Sequence, residues 1–365
     1  MRDPHGPTFG LPEVAPLLAL LALVLTWGRT PGTIGLTLVA VVLGAAVLAA
    51  VHHAEVVAHR VGEPFGSLVL AVAVTVIEVA LILTLMLGGG KDTSTLARDT
   101  VFAAVMITCN GIVGLSLLVG AVRYSTTHFN AEGTGAALAT VITLATTTLV
   151  LPTFTTTSPG AEFTASQLTF AALASLLLYG LFVVTQTVRH RDFFLPVTDQ
   201  GDVLDEDSHA ELPTNRRAQL SLAMLLVSLV AVVGLAKVES KPIESAVADL
   251  GLPQLVVGVV IALLVLLPES IAATRAAARG RTQISLNLGL GSAMASIGLT
   301  IPTIAVASIW IDGPLELGLE PVHIVLLALT ALVSVLTVVP GRATRLQGGV
   351  HLVVFASYLV LSVQP

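Results

Sequence analysis

Apolar stretches of about twenty residues recur along the whole chain, and they restrict its fold more than any other feature. A helix needs roughly that many apolar residues to cross the hydrocarbon core of a bilayer. The composition agrees, because only 11% of the 365 residues are charged, against about 25% in soluble domains. Backbone polar groups in lipid must be hydrogen-bonded within the protein, and apolar stretches of this length achieve this as helices. The sequence predicts an all-α polytopic membrane protein.

Hydropathy predicts eleven transmembrane helices. Their approximate ranges are 14–29, 33–60, 65–87, 98–121, 132–151, 164–187, 218–239, 252–279, 284–308, 320–338 and 348–363. No basic segment precedes the first apolar run, and we expect that helix to be retained rather than removed as a signal peptide.

The distribution of basic residues predicts the orientation of these helices. If the loops alternate between the two faces, twelve of the 17 Lys and Arg residues fall on the face of the N-terminus and five on the other. Basic residues are retained on the cytoplasmic side. We therefore expect a cytoplasmic N-terminus and an extracytoplasmic C-terminus, in the plasma (inner) membrane of a prokaryote.

The chain contains a weak internal repeat. Glu55, Gly62 and Pro64 have the same spacing as Glu244, Gly251 and Pro253, and an apolar run follows each set. Five helices in each repeat would give the two copies opposite orientations, which is the inverted-repeat architecture of many secondary transporters. The predicted organisation is an N-terminal segment with one extra helix (1–32), repeat one (33–187), an acidic cytoplasmic linker (188–217) and repeat two (218–365).

Two carboxylates stand alone in apolar runs at matching places of the two repeats. Glu78 is the only charged residue of 65–87, and Glu269 is the only one of 252–273. A charged side chain at that depth costs about 2.5–3.5 kcal/mol even on insertion scales. The matched positions favour a role in ion transport, although each Glu could instead be a structural hydrogen-bonding residue between helices.

The two glutamates would form a site for a cation if they met across the repeat axis. Ca²⁺ takes about six to eight oxygen ligands, to which hydroxyls, amides and carbonyls can contribute beside carboxylates. The supporting polar residues would come from the helix after each Glu, namely Thr108, Asn110, Ser292 and Ser296. Two close carboxylates in an apolar medium cannot both stay ionised without a cation. Cations and protons would therefore compete for one site, which is an antiport mechanism.

Several segments resemble the calcium/cation:proton antiporter superfamily, and most closely its bacterial ChaA-type branch. They are 53–67, 73–79, 267–270 and 285–302, which include both glutamates and the pair Gly291-Ser292. The resemblance implies one extra helix followed by two five-helix repeats, and it implies that Glu78 and Glu269 bind the cation.

This chain departs from the pattern of the calcium-selective branch, which has Gly-Asn-Ala-x-Glu before each glutamate. The equivalents are Val74-Thr-Val-Ile-Glu78 and Val265-Leu-Leu-Pro-Glu269, and Ala295 stands where a Gln is common. Two acids balance the charge of a divalent cation, and Ca²⁺ is the leading prediction. Na⁺ or K⁺ with the same site is the alternative.

Other polar features lie near the ends of the helices. Glu55, Glu244 and His53 are predicted to act in gating or in a proton relay, with plain solvation of the helix ends as the other reading. A zinc site formed by the histidines of 52–59 is the less favoured interpretation, since no cysteine or second ligand set accompanies it. The acidic segment 198–211 could gather cations or serve only as a flexible linker.

Several other classes of function lack support in the sequence. There is no P-loop, no HExxH motif and no Gly-Asp aspartyl motif, and an intramembrane enzyme or a cation channel is a remote alternative. The net charge of −6 provides no basic surface for nucleic acid. The expected partners are the lipid bilayer, inorganic cations and protons. No cofactor is expected, and a homo-oligomer is left open.

Overall fold

The computed structural model describes residues 10–29, 31–62, 65–87, 94–197, 213–310 and 313–364, with side chains except those of residues 65–71 and Glu244. Within these residues, nine helices are long and apolar enough to cross a membrane, and Leu11–Thr26 and Val72–Leu87 are shorter apolar helices. Together they match the eleven predicted helices one for one. The prediction of an all-α polytopic membrane protein is confirmed.

Thirteen α-helices are described, and short π-helical segments interrupt or extend three of the rods. The helices are α1 Leu11–Thr26, α2 Thr33–Val61, α3 Phe65–Leu87, α4 Leu96–Met106, α5 Val113–Tyr124, α6 Ala131–Ala145, α7 Leu151–Phe154, α8 Ala165–Val184, α9 Asn215–Asp249, α10 Leu255–Ala278, α11 Thr282–Ala307, α12 Pro321–Val338 and α13 Arg345–Val363. The π-helical segments are Ile107–Ile112, Thr146–Val150 and Thr185–Arg189, and a 3₁₀ turn covers Arg191–Phe194.

The helices group into two compact units that cut across the predicted repeats. The first unit is Met1–Gly88 with Ala210–Ser245, and the second is Gly89–His209 with Ala246–Pro365. Each unit therefore takes helices from both halves of the chain.

In the first unit, α2 contacts both α1 and α3. Helix α9 lies against α1 where Gly234 leaves room for the side chain of Leu23. Just after the end of α1, the ring centroid of Trp27 lies 5.4 Å from the Nζ atom of Lys237 in α9. A cation at this distance is attracted by an aromatic face.

The second unit is built around one continuous helical rod, which consists of α4, the π-helical segment Ile107–Ile112 and α5. We call it the central rod. In this rod 83% of the apolar window is buried, against 22–56% in the other spans. Glycines let neighbouring backbones approach it closely, as is common between membrane helices. A Cβ atom at Gly258 of α10 would lie 2.9 Å from the backbone nitrogen of Thr100, and one at Gly348 of α13 would lie 2.9 Å from the carbonyl oxygen of Gly114.

The repeat anchors Gly62 and Gly251 have the same structural role. Gly62 follows α2 with φ 77°, and Gly251 follows α9 with φ 67°. A left-handed residue of this kind commonly ends a helix, and glycine adopts it without steric cost. The matched spacing in the sequence therefore corresponds to matched helix ends.

Loops of the second unit pair as an alternating topology requires. The short strands β1 (Thr127–His128) and β2 (Arg342–Ala343) are antiparallel and join the loop after α5 to the loop after α12. The loops before α8 and before α12 meet through a bridge between Glu162 and Glu316. Both pairs join loops that the topology assigns to the same face.

Candidate cation site

Glu269 is buried inside α10, with 8% of its surface exposed. Pro268 lies directly before it within the helix. Proline has no N–H to donate and its ring displaces the carbonyl four residues earlier. The local sequence therefore places a carboxylate beside a helix turn that has lost one backbone hydrogen bond.

Glu269 lies at about the depth of Asn110 in the central rod. The helices α10 and α4 contact each other at Gly258 and Asp99, and the two helices are parallel. Glu269 follows Gly258 by eleven residues, and Asn110 follows Asp99 by eleven residues. Gly120 and the carbonyl oxygen of Ala277 form a second close approach between the central rod and α10. The two approaches together limit the difference in depth between Glu269 and Asn110 to about one helical turn.

Ser292 of α11 reaches a similar depth. Helices α10 and α11 pack against each other and are joined by a tight turn at Gly280. Glu269 lies nine residues before the end of α10, and Ser292 lies ten residues after the start of α11. Ser296 is one turn further along and is buried. The second unit thus holds one carboxylate, two serines and the π-helical segment at neighbouring levels.

Glu78 lies in α3 of the first unit and is buried, with 2% of its surface exposed. The neighbouring Ile77 and Val79 are also buried. Because Glu78 and Glu269 belong to different compact units, their pairing rests on the repeat in the sequence and stays a prediction.

The predicted ligands Thr108 and Asn110 are completely buried in the π-helical segment. The hydroxyl of Thr108 donates to the carbonyl oxygen of Ala104 at 2.7 Å. The amide of Asn110 donates to Thr330 Oγ1 at 2.9 Å, and its oxygen lies 3.2 Å from Nδ1 of His351. The nitrogen of the Asn110 amide is thus bonded to α12 and its oxygen to α13. Asn110 would have to exchange at least one of these bonds to bind a cation directly.

The predicted gate and relay residues differ in their surroundings. His53 is buried, and its Nε2 lies 3.0 Å from the carbonyl oxygen of Pro12. Glu55, two residues later, is exposed. The side chain of Glu244 and the acidic segment 198–211 lie outside the described residues. Gating and relay stay predictions for all three residues.

A buried ion pair at the start of α4 was missed by the sequence analysis. Arg98 Nε donates to Asp99 Oδ1 at 2.7 Å, and Arg98 Nη1 donates to the carbonyl oxygen of Gly318 at 3.1 Å. Their side chains are only 7% and 3% exposed. The sequence signal for this pair was the position of two charged residues directly before an apolar run. From the sequence the pair looks like an ordinary solvated start of a helix, because the loop that buries it, around Gly318, lies 220 residues away.

Buried histidines of α12 and α13 were also missed. His323 is 4% exposed, His351 has no exposed surface, and each lies in a helix that is long and apolar enough to cross a membrane. A titratable side chain in a membrane helix was again the signal.

No metal cluster of the usual protein type occurs in the part of the chain that the structure describes. No group of three or more His, Cys, Asp or Glu side chains there is arranged to hold a metal ion. A cation site built on the two glutamates would therefore take its remaining ligands from hydroxyls, carbonyls or water.

Comparisons with known proteins agree on one family. The sodium/calcium exchanger protein family matches this chain over residues 18–188 and 220–364. The two matched segments separate close to the predicted boundary between the repeats.

Relatives and solved structures cover nearly the whole chain. It is 49% identical to the protein y4hA of Sinorhizobium fredii over 88% of this chain and 87% of the relative. It is 33% identical to the sodium-potassium/proton antiporter ChaA of Escherichia coli over 95% of this chain and 94% of the relative. Its fold is similar to that of the Ca²⁺/H⁺ antiporter protein YfkE, with TM-score 0.70 and 16% identity over 97% of this chain and 98% of the other.

Proposed function

Since the chain belongs to the sodium/calcium exchanger protein family and is a secondary transporter, we propose that it exchanges Na⁺ or K⁺ for protons at a site that includes Glu78 and Glu269. The observation that carries this proposal is the burial of Glu269 at about the depth of the π-helical segment and of Ser292. A carboxylate is rarely kept at such a place unless it binds an ion or a proton.

The exchange follows from competition for the same oxygen atoms. Burial and mutual repulsion disfavour two ionised carboxylates, and the empty site therefore binds protons as a coupled pair. One Na⁺ or K⁺ replaces one of these protons and leaves the other in place, whereas one Ca²⁺ replaces both, so that either exchange keeps the net charge of the site unchanged. The proton-bound site and the cation-bound site are then both close to neutral, and the protein can change conformation around either of them without exposing a net charge to an apolar medium.

The identity of the cation is proposed from the relatives and from the site chemistry. The relative ChaA, which shares 33% of its residues with this chain, is named a sodium-potassium/proton antiporter. Thr75, Leu266 and Ala295 stand where the calcium-selective pattern has Asn, Asn and Gln, and they leave fewer side-chain amide oxygens for a cation with many ligands. Ca²⁺ is the second candidate, because two carboxylates balance its charge.

Everted membrane vesicles that hold a pH gradient provide the test. Addition of Na⁺, K⁺ or Ca²⁺ should raise the internal pH, as followed with a fluorescent probe. Glu78→Gln and Glu269→Gln keep the size of the side chain and remove its charge, and each should abolish the response. Glu132 is exposed at the start of α6, and Glu132→Gln is the matched control that should respond like the wild type.

Two results would contradict the proposal. A response that persists in both glutamine variants would exclude the carboxylate site. Absence of a response to all three cations in the wild type, at normal expression, would exclude cation:proton antiport. The order of the responses among the three cations decides between the monovalent and the divalent candidate.

A further inference from the structure

A chain of buried hydrogen bonds connects the middle of the central rod with α12 and α13. It runs through Thr330, Asn110, His351 and Thr337, which are 0–4% exposed. Asn110 Nδ2 donates to Thr330 Oγ1 at 2.9 Å, Asn110 Oδ1 lies 3.2 Å from His351 Nδ1, and His351 Nε2 lies 3.2 Å from Thr337 Oγ1. Every polar group of the Asn110 and His351 side chains thus has a neighbour in this chain.

The direction of each bond can be assigned from one end. The hydroxyl of Thr330 donates to the carbonyl oxygen of Leu326 at 2.7 Å, so it accepts from Asn110. The nitrogen of the Asn110 amide therefore faces Thr330, and its oxygen faces His351. This oxygen can only accept, which assigns the proton to Nδ1 of His351. Nε2 of the neutral ring then accepts from the hydroxyl of Thr337.

The consequence for the cation site follows from the position of Asn110. Asn110 lies at about the depth of Glu269, in a π-helical segment that packs against α10, α11 and α13. An amide oxygen at this depth is an obvious ligand for a hard cation. In this structure the Nδ1–H of His351 takes one lone pair of that oxygen and keeps the oxygen turned toward α13. The backbone carbonyl of Cys109 is a second hydrogen-bonding neighbour of the His351 ring.

We propose that His351 is a residue that determines ion selectivity, because its Nδ1–H withholds the Asn110 oxygen from the cation. The inference rests on the proposed function, since it assumes a cation site near Glu269. Ca²⁺ takes about six to eight oxygen ligands in adaptable geometry, and the number of ligands on offer is one basis of selectivity between ions. Removing one amide oxygen therefore favours Na⁺ and K⁺ over Ca²⁺.

The test compares variants that release opposite ends of the same amide. His351→Leu removes the donor and leaves the Asn110 oxygen available to a cation. Thr330→Val removes the acceptor and releases only the N–H end. The measurement is the competition of Na⁺ against radioactive Ca²⁺ for binding to the purified protein, at one pH. His351→Leu should raise the preference for Ca²⁺ over Na⁺ about tenfold, as changes around metal ligands typically do, and Thr330→Val should leave it unchanged.

A second pair of variants covers the case in which His351→Leu does not fold. In His351→Asn the amide nitrogen can take the position of Nδ1 and keep the bond to Asn110, whereas in His351→Gln the amide reaches the position of Nε2 and this bond is lost. The glutamine variant should show the raised preference for Ca²⁺, and the asparagine variant should keep that of the wild type.

The outcomes separate the two proposals. Equal preferences in all folded variants, or equal changes in both members of a pair, would overturn the role of His351 and leave antiport intact. A wild-type protein that binds neither Ca²⁺ nor Na⁺ would overturn the proposed function, and with it the role of His351.

Discussion

The Nδ1 atom of His351 lies 3.2 Å from Oδ1 of Asn110, although 241 residues separate the two in the sequence. This bond ties α13, the last helix, to the π-helical segment in the middle of the most buried rod of the second unit. The amide of Asn110 is therefore positioned by helices from the other end of the chain.

Adjacent glycines of α13 should respond differently to the same substitution. A Cβ atom at Gly348 would lie 2.6 Å from the backbone nitrogen of Leu118 and 2.9 Å from the carbonyl oxygen of Gly114, whereas one at Gly349 would meet nothing within 4 Å. Backbone atoms cannot move aside as side chains do. We expect Gly348→Ala to cost about 1–3 kcal/mol of stability and Gly349→Ala to be neutral or stabilising by up to about 1 kcal/mol.

Size-exclusion profiles and thermal unfolding of the two purified alanine variants provide the measurement. Equal behaviour of Gly348→Ala and Gly349→Ala would contradict the close packing of α13 against α5.

The buried ion pair of α4 should matter more for stability than its exposed neighbour. Asp99 and Arg98 are 2.7 Å apart and both are buried, whereas Glu320 lies 3.9 Å from Arg98 and its side chain is 57% exposed. Asp99→Ala leaves the buried guanidinium with only the exposed and more distant carboxylate of Glu320, and the loss of a buried partner costs about 3–5 kcal/mol. Glu320→Ala should cost about 1 kcal/mol at most. Thermal midpoints that fall equally in the two variants would disprove this ranking.

The excess of basic residues on one face predicts the topology. Twelve of the 17 Lys and Arg residues should be cytoplasmic together with the N-terminus. Alkaline phosphatase fused after the last helix should then be active in cells, and the same enzyme fused to the loop that follows α12 should be inactive. The opposite pattern would mean that the orientation is inverted.

The sequence predicted the helices well because their apolar lengths are set by the bilayer. The error is largest at α9, which was expected over 218–239 and extends over Asn215–Asp249. Lys237, Glu239 and Lys241 end the apolar run, but charge and even Pro242 do not end the helix. Hydropathy measures which residues tolerate lipid, whereas a helix can continue beyond the lipid.

The surroundings of the site were less predictable, since they depend on contacts between distant segments. The sequence singled out Asn110 as a polar residue on the helix after Glu78, but its partners Thr330 and His351 lie 220 and 241 residues away. Isolated histidines in apolar helices carry no formal charge at pH 7, and a search for charged residues overlooks them. The glutamates were found because a carboxylate in an apolar run is conspicuous without any partner.

Proton release on cation binding tests the shared site most directly. The purified protein in weakly buffered solution receives Na⁺, K⁺ or Ca²⁺ while a pH indicator records the protons set free. The wild type should release protons as the cation binds, because both compete for Glu78 and Glu269. Glu78→Gln and Glu269→Gln should release none, and Glu132→Gln should match the wild type. Cation binding without proton release, or release that persists in both site variants, would contradict a shared carboxylate site.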